Sequence, residues 1–318
     1  MVSGLPFDDL RSLARQLPAR DAAAARRAAE ISEDYAKAAG SIGKLAGVAE
    51  WLAGTTGRPP RVLRPVVALF AGTHGLGGAG ATAEVQAFVD RCAAGGSAVN
   101  QACIAGDLGL KIFDLALDVP TEDISVEPAF DEKGCAATVA FGMEAVAGGI
   151  DLLVLSGFGG EAGRISAEAV SAALRPELGR NVSLATASVL EVHRGHVSDP
   201  LEILRRLGGR ETAALVGAIV AARMERVPVI LDGAAALAAA SVVQALAPDG
   251  LSHCMVGDAG ADDGTDRAAE ALGLAPLMHL GLSGSDGSGG AVAAGIVKAA
   301  ALLHAGAAEF LKSRRQAV

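Results

Sequence analysis

A glycine-rich stretch near the C-terminus contains one carboxylate, Asp286, with small residues on both sides. The stretch runs from Gly284 to Gly290, and an Ala-rich helical pattern follows it. Backbone N–H groups in a turn that opens a helix can hold a phosphate beside such a carboxylate. An ordinary helix N-cap would explain an aspartate here equally well. The stretch is therefore a candidate phosphate site, with capping as the alternative.

Three further polar residues lie near predicted strand or helix ends. Asp232 closes PVILDG and Glu211 closes LGGRE, where general base, ribose binding and plain capping are all possible roles. His74 follows the first predicted strand, where wound sheets present their ligands. His279 lies inside an apolar run, which predicts a hydrogen-bonded core histidine.

The residues from Gly75 to Gly80 fit GxGxxG, the pattern that holds a dinucleotide pyrophosphate at a helix N-terminus. This pattern makes a nicotinamide-dependent dehydrogenase one hypothesis. The acid expected at the end of the next strand is only loosely matched by Asp114 or Asp118. No Walker A loop, GxSxG elbow or Ser-His-Asp order favours NTPases or α/β-hydrolases.

His193 and His196 are spaced as metal ligands on one helix face, yet no Cys or further His lies nearby in sequence. A solvated, polar helix end is the preferred interpretation, and no metal is expected. The four cysteines are scattered without a CxxC pair, which predicts small buried side chains rather than a zinc site or disulfides.

Short apolar runs alternate with Ala-rich helical stretches after Pro65. This pattern predicts an α/β fold with a wound, mainly parallel, Rossmann-like sheet flanked by helices. We expect residues 1–60 to be helical, residues 61–290 to form the α/β domain, and 291–318 to form helices that complete a small helical lobe with the N-terminal segment. The predicted strands are 66–72, 112–119, 151–160, 228–233, 254–260 and 277–284.

Composition argues against several classes of partner. The net charge is −9 and the sequence contains no block of basic residues, so nucleic acid and anionic membranes are not expected partners. The first thirty residues carry charges throughout, which predicts neither a signal peptide nor a membrane span. We expect a cytoplasmic protein.

A series of segments from about Lys37 to about Ala300 resembles the nicotinate-nucleotide:dimethylbenzimidazole phosphoribosyltransferase family. In order along the chain they are KAAGSIGKL (37–45), EWLAG (50–54), RPP (58–60), AGTHG (71–75), AGGSAVN (94–100), LGGRETAALVGAIVAA (207–222), RVPVILDG (226–233) and LGLSGSDGSGG (280–290). Because their order matches throughout, the series is far more specific than any one motif.

The resemblance implies transfer of a phosphoribosyl group from nicotinate mononucleotide to dimethylbenzimidazole, giving α-ribazole phosphate. It also implies a homodimer that uses no metal and no organic cofactor. In such an enzyme glycines hold the phosphate, and a carboxylate takes the imidazole proton as the base nitrogen attacks the ribose.

Several positions depart from the family pattern. The catalytic glutamate of the family falls on Asp286, and its second acid falls on Gly157, so Glu161 is the candidate to replace that second acid. Thr73 stands where the family's AGDHG motif has its aspartate. The family's base-binding loop is shortened here around 80–84. Arg194 is the candidate to replace a lysine that the family has and this chain lacks.

The resemblance and the strand ends together assign Asp286 and Glu161 as catalytic residues. A second hypothesis is a non-catalytic paralogue that binds a base, a nucleotide or a partner subunit in the inherited pocket. The expected substrate-binding residues are His74, Gly75, Ser156, Gly157, Phe158, Gly159, Gly160, Asp232, Gly284, Ser285, Gly287, Ser288 and Gly289.

Overall fold

The computed structural model describes residues 5–259, 263–282 and 286–316, and it opens with three helices. Asp21 caps the second by accepting the N–H of Ala24, and the third ends at Gly57, where a φ of 70° suits glycine. The helices are α1 (Pro6–Ala14), α2 (Ala22–Ala38) and α3 (Leu45–Thr56).

The centre of the molecule is a six-stranded sheet in which every pairing is parallel. Its spatial order is β2-β1-β3-β4-β5-β6. The predicted α/β class with a wound parallel sheet is therefore confirmed. The strands are β1 (Pro65–Ala71), β2 (Gly109–Asp114), β3 (Leu152–Phe158), β4 (Val229–Asp232), β5 (Cys254–Asp258) and β6 (Pro276–Met278).

Helices cover both faces of the sheet, because alternate strand residues point to opposite sides. Leu153 and Leu155 of β3 pack on what we call the α10 face, whereas Leu152 and Val154 pack on the α13 face. The α10 face carries α6 (Glu132–Gly142), α7 (Gly160–Leu174), α8 (Leu184–Val192), α9 (Pro200–Leu207), α10 (Arg210–Met224), α11 (Ala234–Leu246) and α12 (Asp263–Ala271). The α13 face carries α3, α4 (Gly78–Ala93), α5 (Ala98–Gly106) and α13 (Ser288–Gln316).

The C-terminal segment forms one long helix, α13, which packs on α2 and α3 and also on α5 and the sheet. By length and apolar composition it resembles a membrane-spanning helix. Ala293, Ala294 and Val297 are nevertheless fully buried against the protein, as in the core helix of a folded domain. Its hydropathy is explained by this packing.

Two predicted strands differ from the observed ones. β2 begins at Gly109 and ends at Asp114, because the chain turns at Ala116 with a φ of 54°. β6 ends at Met278, which leaves His279 exposed beyond the strand. The prediction of a core histidine at His279 is therefore wrong. An apolar run does not specify where a strand at the edge of a sheet stops pairing.

Candidate active site

The carboxyl ends of β1 and β3 lie side by side, with Ala71 paired to Phe158. From β1 the chain moves to β2 on one side of the sheet, and from β3 it moves to β4 on the other. This reversal creates a crevice, and α/β proteins bind ligands at such crevices. The candidate residues that follow β1 and β3 therefore lie where the fold favours binding.

A buried histidine–glutamate pair lies under this crevice. Nε2 of His74, just after β1, is 2.9 Å from Oε1 of Glu211 in the first turn of α10. Both side chains are essentially inaccessible to solvent. Among the described residues, Nδ1 of His74 and Oε2 of Glu211 have no hydrogen-bond partner. The pair is thus a buried polar unit with unused hydrogen-bonding capacity.

Glycines make room for this pair. A Cβ at Gly159 would lie 2.7 Å from Nε2 of His74, and one at Gly72 would lie 2.5 Å from Oε2 of Glu211. A Cβ at Gly157 would be 3.2 Å from Cγ of Glu211. The glycines at the ends of β1 and β3 are therefore required by the pair beneath them, whatever ligand lies above.

Ser156 and Asp232 are register partners on β3 and β4, and both are fully or almost fully buried. Oδ1 of Asp232 accepts the N–H of Gly290 at 3.0 Å. Oδ2 of Asp232 and Oγ of Ser156 have no hydrogen-bond partner among the described residues. Two adjacent strands thus present unsatisfied polar atoms at the same edge.

Burial raises the pKa of Asp232 to about 7, because a charged carboxylate loses its hydration there. The charges of Asp286 and Asp258 add to this rise, while the N–H groups of Gly290 and Gly287 oppose it. Asp232 therefore exchanges its proton close to neutral pH.

Strand-end aspartates also hold the segment that carries Asp286. Asp258, at the end of β5, accepts the N–H of Leu280 at 2.7 Å and that of Leu282 at 2.6 Å. Asp232 holds the other end through Gly290. The two hydrogen bonds to Asp258 and the one to Asp232 therefore fix both ends of residues 280–290. Gly284 and Ser285 were also predicted to bind substrate, and they lie outside the described residues.

Asp286 lies two residues before the start of α13. Its Oδ1 accepts the N–H of Ser288 at 2.9 Å and the hydroxyl of Ser288 at 2.6 Å. Gly287 has a φ of 86°, and a Cβ there would be 3.2 Å from Val67 and Val99. A Cβ at Gly289 would be 2.6 Å from Oδ1 of Asp232. Oδ1 of Asp286 therefore caps the first turn of the helix, as the alternative interpretation expected.

Phe158, the last residue of β3, lies on the α13 face, as the segment of Asp286 does. Its ring stacks on Phe88 of α4 with centroids 3.8 Å apart and planes 17° apart. One turn earlier on α4, Oε2 of Glu84 lies 3.5 Å from the amide of Glu161 and would be 2.5 Å from a Cβ at Gly160. A carboxylate from α4 thus lies against the N-terminus of α7.

Glu161 itself is bound to Arg164. Its two oxygens accept hydrogen bonds from the guanidinium at 2.8 and 2.6 Å, and its side chain is 63% exposed. The hydrogen bond to Arg164 lowers the pKa of Glu161; burial acts in the opposite direction, and the charge of Arg164 adds to the fall. The proposed catalytic role of Glu161 stays a prediction.

The two histidines of HRGH, His193 and His196, differ in exposure. His193 is buried with Nε2 2.8 Å from the carbonyl oxygen of Ile124, whereas His196 is exposed. The prediction of a solvated helix end therefore fails for His193. Within residues 5–259, 263–282 and 286–316, no cluster of three potential metal ligands occurs.

Gly75 contacts the loop after β2. It donates its N–H to the carbonyl of Thr121 at 2.8 Å, and a Cβ there would be 2.8 Å from the amide of Asp123. Close backbone packing therefore accounts for this first glycine of GxGxxG.

Three features of the site were not predicted from the sequence. They are the hydrogen bond between His74 and Glu211, the hydrogen bonds from Leu280 and Leu282 to Asp258, and the contact of Glu84 with the start of α7. His74 and Glu211 are 137 residues apart, and no local pattern links them. The only signal was that both stand beside glycines at predicted strand or helix ends.

Comparisons with known proteins cover almost the whole chain. A family model described as phosphoribosyltransferase matches residues 17–182 and 178–314. The nicotinate-nucleotide–dimethylbenzimidazole phosphoribosyltransferase of Sinorhizobium medicae is 50% identical over 331 aligned positions, which cover 98% of each chain. The enzyme of the same name from Rhizobium leguminosarum bv. trifolii is 49% identical with the same coverage.

A solved structure shares the fold. The crystal structure of nicotinate-nucleotide–dimethylbenzimidazole phosphoribosyltransferase from Thermus thermophilus superimposes with a TM-score of 0.80 at 25% identity, covering 89% of this chain and 96% of that one. These matches to phosphoribosyltransferases replace the dehydrogenase hypothesis that the GxGxxG pattern suggested. The chain belongs to the nicotinate-nucleotide–dimethylbenzimidazole phosphoribosyltransferase family.

Proposed function

We propose that this enzyme transfers the phosphoribosyl group of nicotinate mononucleotide to dimethylbenzimidazole or a related base, giving α-ribazole phosphate and nicotinate. The observation that carries the proposal is the position of Asp286. It lies two residues before α13, in a segment fastened by Asp232 and Asp258, beside unsatisfied polar atoms at the carboxyl edge of the sheet.

The reaction needs one bond formed and one broken at the anomeric carbon. A ring nitrogen of the acceptor attacks this carbon, and nicotinate leaves with the electrons of the old carbon–nitrogen bond. The other ring nitrogen of the acceptor then loses its proton, which Asp286 accepts as general base. Asp286 is one methylene shorter than glutamate, so reach limits its efficiency.

The remaining site residues bind the donor. Ser156 and Asp232 offer buried polar atoms suited to ribose hydroxyls, since a ligand would satisfy them. The backbone N–H groups of Gly157, Gly159, Gly160, Gly287 and Gly289, with Ser288, are assigned to the phosphate. His74 and Gly75 lie beside the base, with Phe158 as its aromatic wall.

The proposal includes a homodimer located in the cytoplasm. The outer side of α13 supports the dimer, because it exposes Leu302 (72%), Leu303 (47%) and Val292 (39%). Ile104 of α5, a helix that packs on α13, is 74% exposed. A strip of this kind on a helix is typical of a surface that a partner covers.

The product profile tests the function. Purified protein is incubated with nicotinate mononucleotide and a panel of benzimidazoles, and products are identified by mass spectrometry beside an Asp286→Ala control. We expect α-ribazole phosphate or its analogue from the wild type and its loss in the control. Absence of any product from folded wild-type protein would refute the proposal in favour of a binding paralogue.

A further inference from the structure

We propose that the buried pair of His74 and Glu211 positions the first turn of α7 for the phosphate of the donor, and thereby sets the preference for a nucleotide over the corresponding nucleoside. This inference rests on the proposed function. Both side chains are essentially inaccessible to solvent, so the pair acts on a ligand through the backbone that it touches.

The first turn of α7 lies directly on this pair. Gly159 precedes α7, and Gly163 ends its first turn. A Cβ on Gly159 would be 2.7 Å from Nε2 of His74 and 2.9 Å from Oε1 of Glu211. A Cβ on Gly163 would be 3.3 Å and 3.2 Å from the same two atoms. Because Nε2 and Oε1 also form the 2.9 Å hydrogen bond of the pair, the turn contacts the hydrogen-bonded atoms themselves.

The pair joins three elements at the carboxyl edge of the sheet. His74 follows β1, Glu211 lies in the first turn of α10, and both touch the start of α7. A Cβ on Gly209, directly before α10, would collide with both side chains. Protein interiors are close-packed, so the length of this hydrogen bond fixes how far α7 lies from β1 and from α10.

A polar pair is costly at this buried position. Burial removes both groups from water, and apolar side chains of similar volume often stabilise a core equally well. A hydrogen bond is directional, however, and it holds two groups within a narrower range of distances than apolar contact does. The cost is explained if the pair fixes a position rather than adding stability.

The position that it fixes is that of backbone N–H groups. Gly160 begins α7 with a φ of 61°, and the first N–H groups of a helix have no partner within the helix. The proposed function assigns those of Gly159 and Gly160 to the donor phosphate, which such groups bind well. A displacement of about 1 Å can cost about a hundredfold in rate. A nucleoside has no phosphate, so its reaction does not depend on this turn.

The test compares nicotinate mononucleotide with nicotinate riboside as donors, with dimethylbenzimidazole as acceptor. The ratio of their kcat/KM values measures the contribution of the phosphate. Glu211→Leu occupies the buried space without an acceptor for His74, whereas Glu211→Gln keeps a hydrogen-bonding group there. We expect Glu211→Leu to lower the ratio by about tenfold, through a higher KM for the nucleotide, and Glu211→Gln to stay within about twofold of the wild type.

A milder variant disturbs the same contact from α7. Gly163→Ala puts a methyl group 3.3 Å from Nε2 of His74 and 3.2 Å from Oε1 of Glu211, so the turn or the pair must shift slightly. We expect the ratio to fall by about threefold. Gly47→Ala in α3 is the matched control, because nothing lies within 4 Å of its added methyl group, and it should keep the wild-type ratio. If Glu211→Leu does not fold, Gly163→Ala decides alone.

Three results would overturn the inference. They are an unchanged ratio in a folded Glu211→Leu or Gly163→Ala protein, equal losses for the two donors, and a fall in Glu211→Gln as large as in Glu211→Leu. Equal losses would indicate general damage to the fold, which affects both donors alike.

If the wild type turns over neither donor, the proposed function fails, and calorimetry with the two donors decides about the pair separately. Tighter binding of the nucleotide than of the riboside, reduced by about tenfold in Glu211→Leu, would support the inference. The same ratio of affinities in both proteins, or no binding of the nucleotide to the wild type, would overturn it.

Discussion

Gly290 donates its amide hydrogen to Oδ1 of Asp232 across 3.0 Å, which joins the end of β4 to the first turn of α13. The two residues are 58 positions apart in the chain. A Cβ on Gly290 would lie 3.0 Å from the Cβ of Asp232, so glycine permits the contact. Through this bond the sheet fixes the start of α13, the helix that follows Asp286.

The first prediction concerns the proton on Asp232. Its pKa rises from an ordinary 3.8 to about 7 in the folded protein, so the folded state binds more protons between these values. The stability of the wild type should therefore fall as the pH rises through this window. Asp232→Asn keeps an acceptor for Gly290 without the charge.

We expect the unfolding free energy of Asp232→Asn, relative to wild type, to increase by at most about 1.4 kcal/mol per pH unit between about pH 4 and 7. Denaturant titrations at several pH values measure this difference. A difference that is constant over the window would contradict the assigned proton.

The second prediction concerns the length of the general base. Asp286→Asn should lower kcat by at least about a hundredfold, because the amide cannot take the proton. Asp286→Glu should raise kcat, since the added methylene brings the carboxylate closer to the acceptor. Steady-state kinetics of both variants decide the matter, and equal rates in Asp286→Asn and wild type would exclude Asp286 as the base.

The third prediction concerns the space around His74 and Glu211. Gly159→Ala puts a methyl group 2.7 Å from Nε2 of His74 and 2.8 Å from the backbone of Gly163. We expect a loss of about 1–3 kcal/mol in unfolding free energy. Gly179→Ala is the matched control, because nothing lies within 4 Å of its added methyl. Equal denaturation midpoints for both variants would show that the space around His74 and Glu211 tolerates a side chain at position 159.

The fourth prediction concerns Asp258. Asp258→Ala leaves the amides of Leu280 and Leu282 without their acceptor, which should cost about 1–3 kcal/mol and lower kcat by loosening the segment of Asp286. Asp249→Ala, at an exposed position, should change neither quantity. Thermal unfolding and kinetics are compared for the two variants; wild-type kcat in Asp258→Ala would rule out a positioning role.

The fifth prediction concerns the outer side of α13. Leu302→Glu puts a charge on the exposed apolar strip, so a dimer formed there should dissociate. Light scattering after size-exclusion chromatography measures the mass. Glu309→Gln, on the same helix, serves as control. A wild-type monomer, or a Leu302→Glu dimer of unchanged stability, would argue against this interface.

Local sequence predicted much of the architecture. The apolar runs placed β1, β3, β4 and β5 nearly where they lie, because buried parallel strands need continuous apolar side chains. The glycine-rich stretch was expected to open a helix from residue 291, and α13 begins three residues earlier, at Ser288. Edge strands were placed less well, since β2 and β6 each pair on one side only and their ends depend on the neighbouring chain.

The sequence by itself determined the fold class and the family, because these follow from periodicity and ordered motifs, and it proposed Asp286 as the candidate base. Only the tertiary structure decided which side chains meet. It joined His74 to Glu211 and brought Glu84 to the start of α7. Such contacts arise when distant segments pack at one edge of the sheet, and burial there sets both their partners and the proton affinity of Asp232.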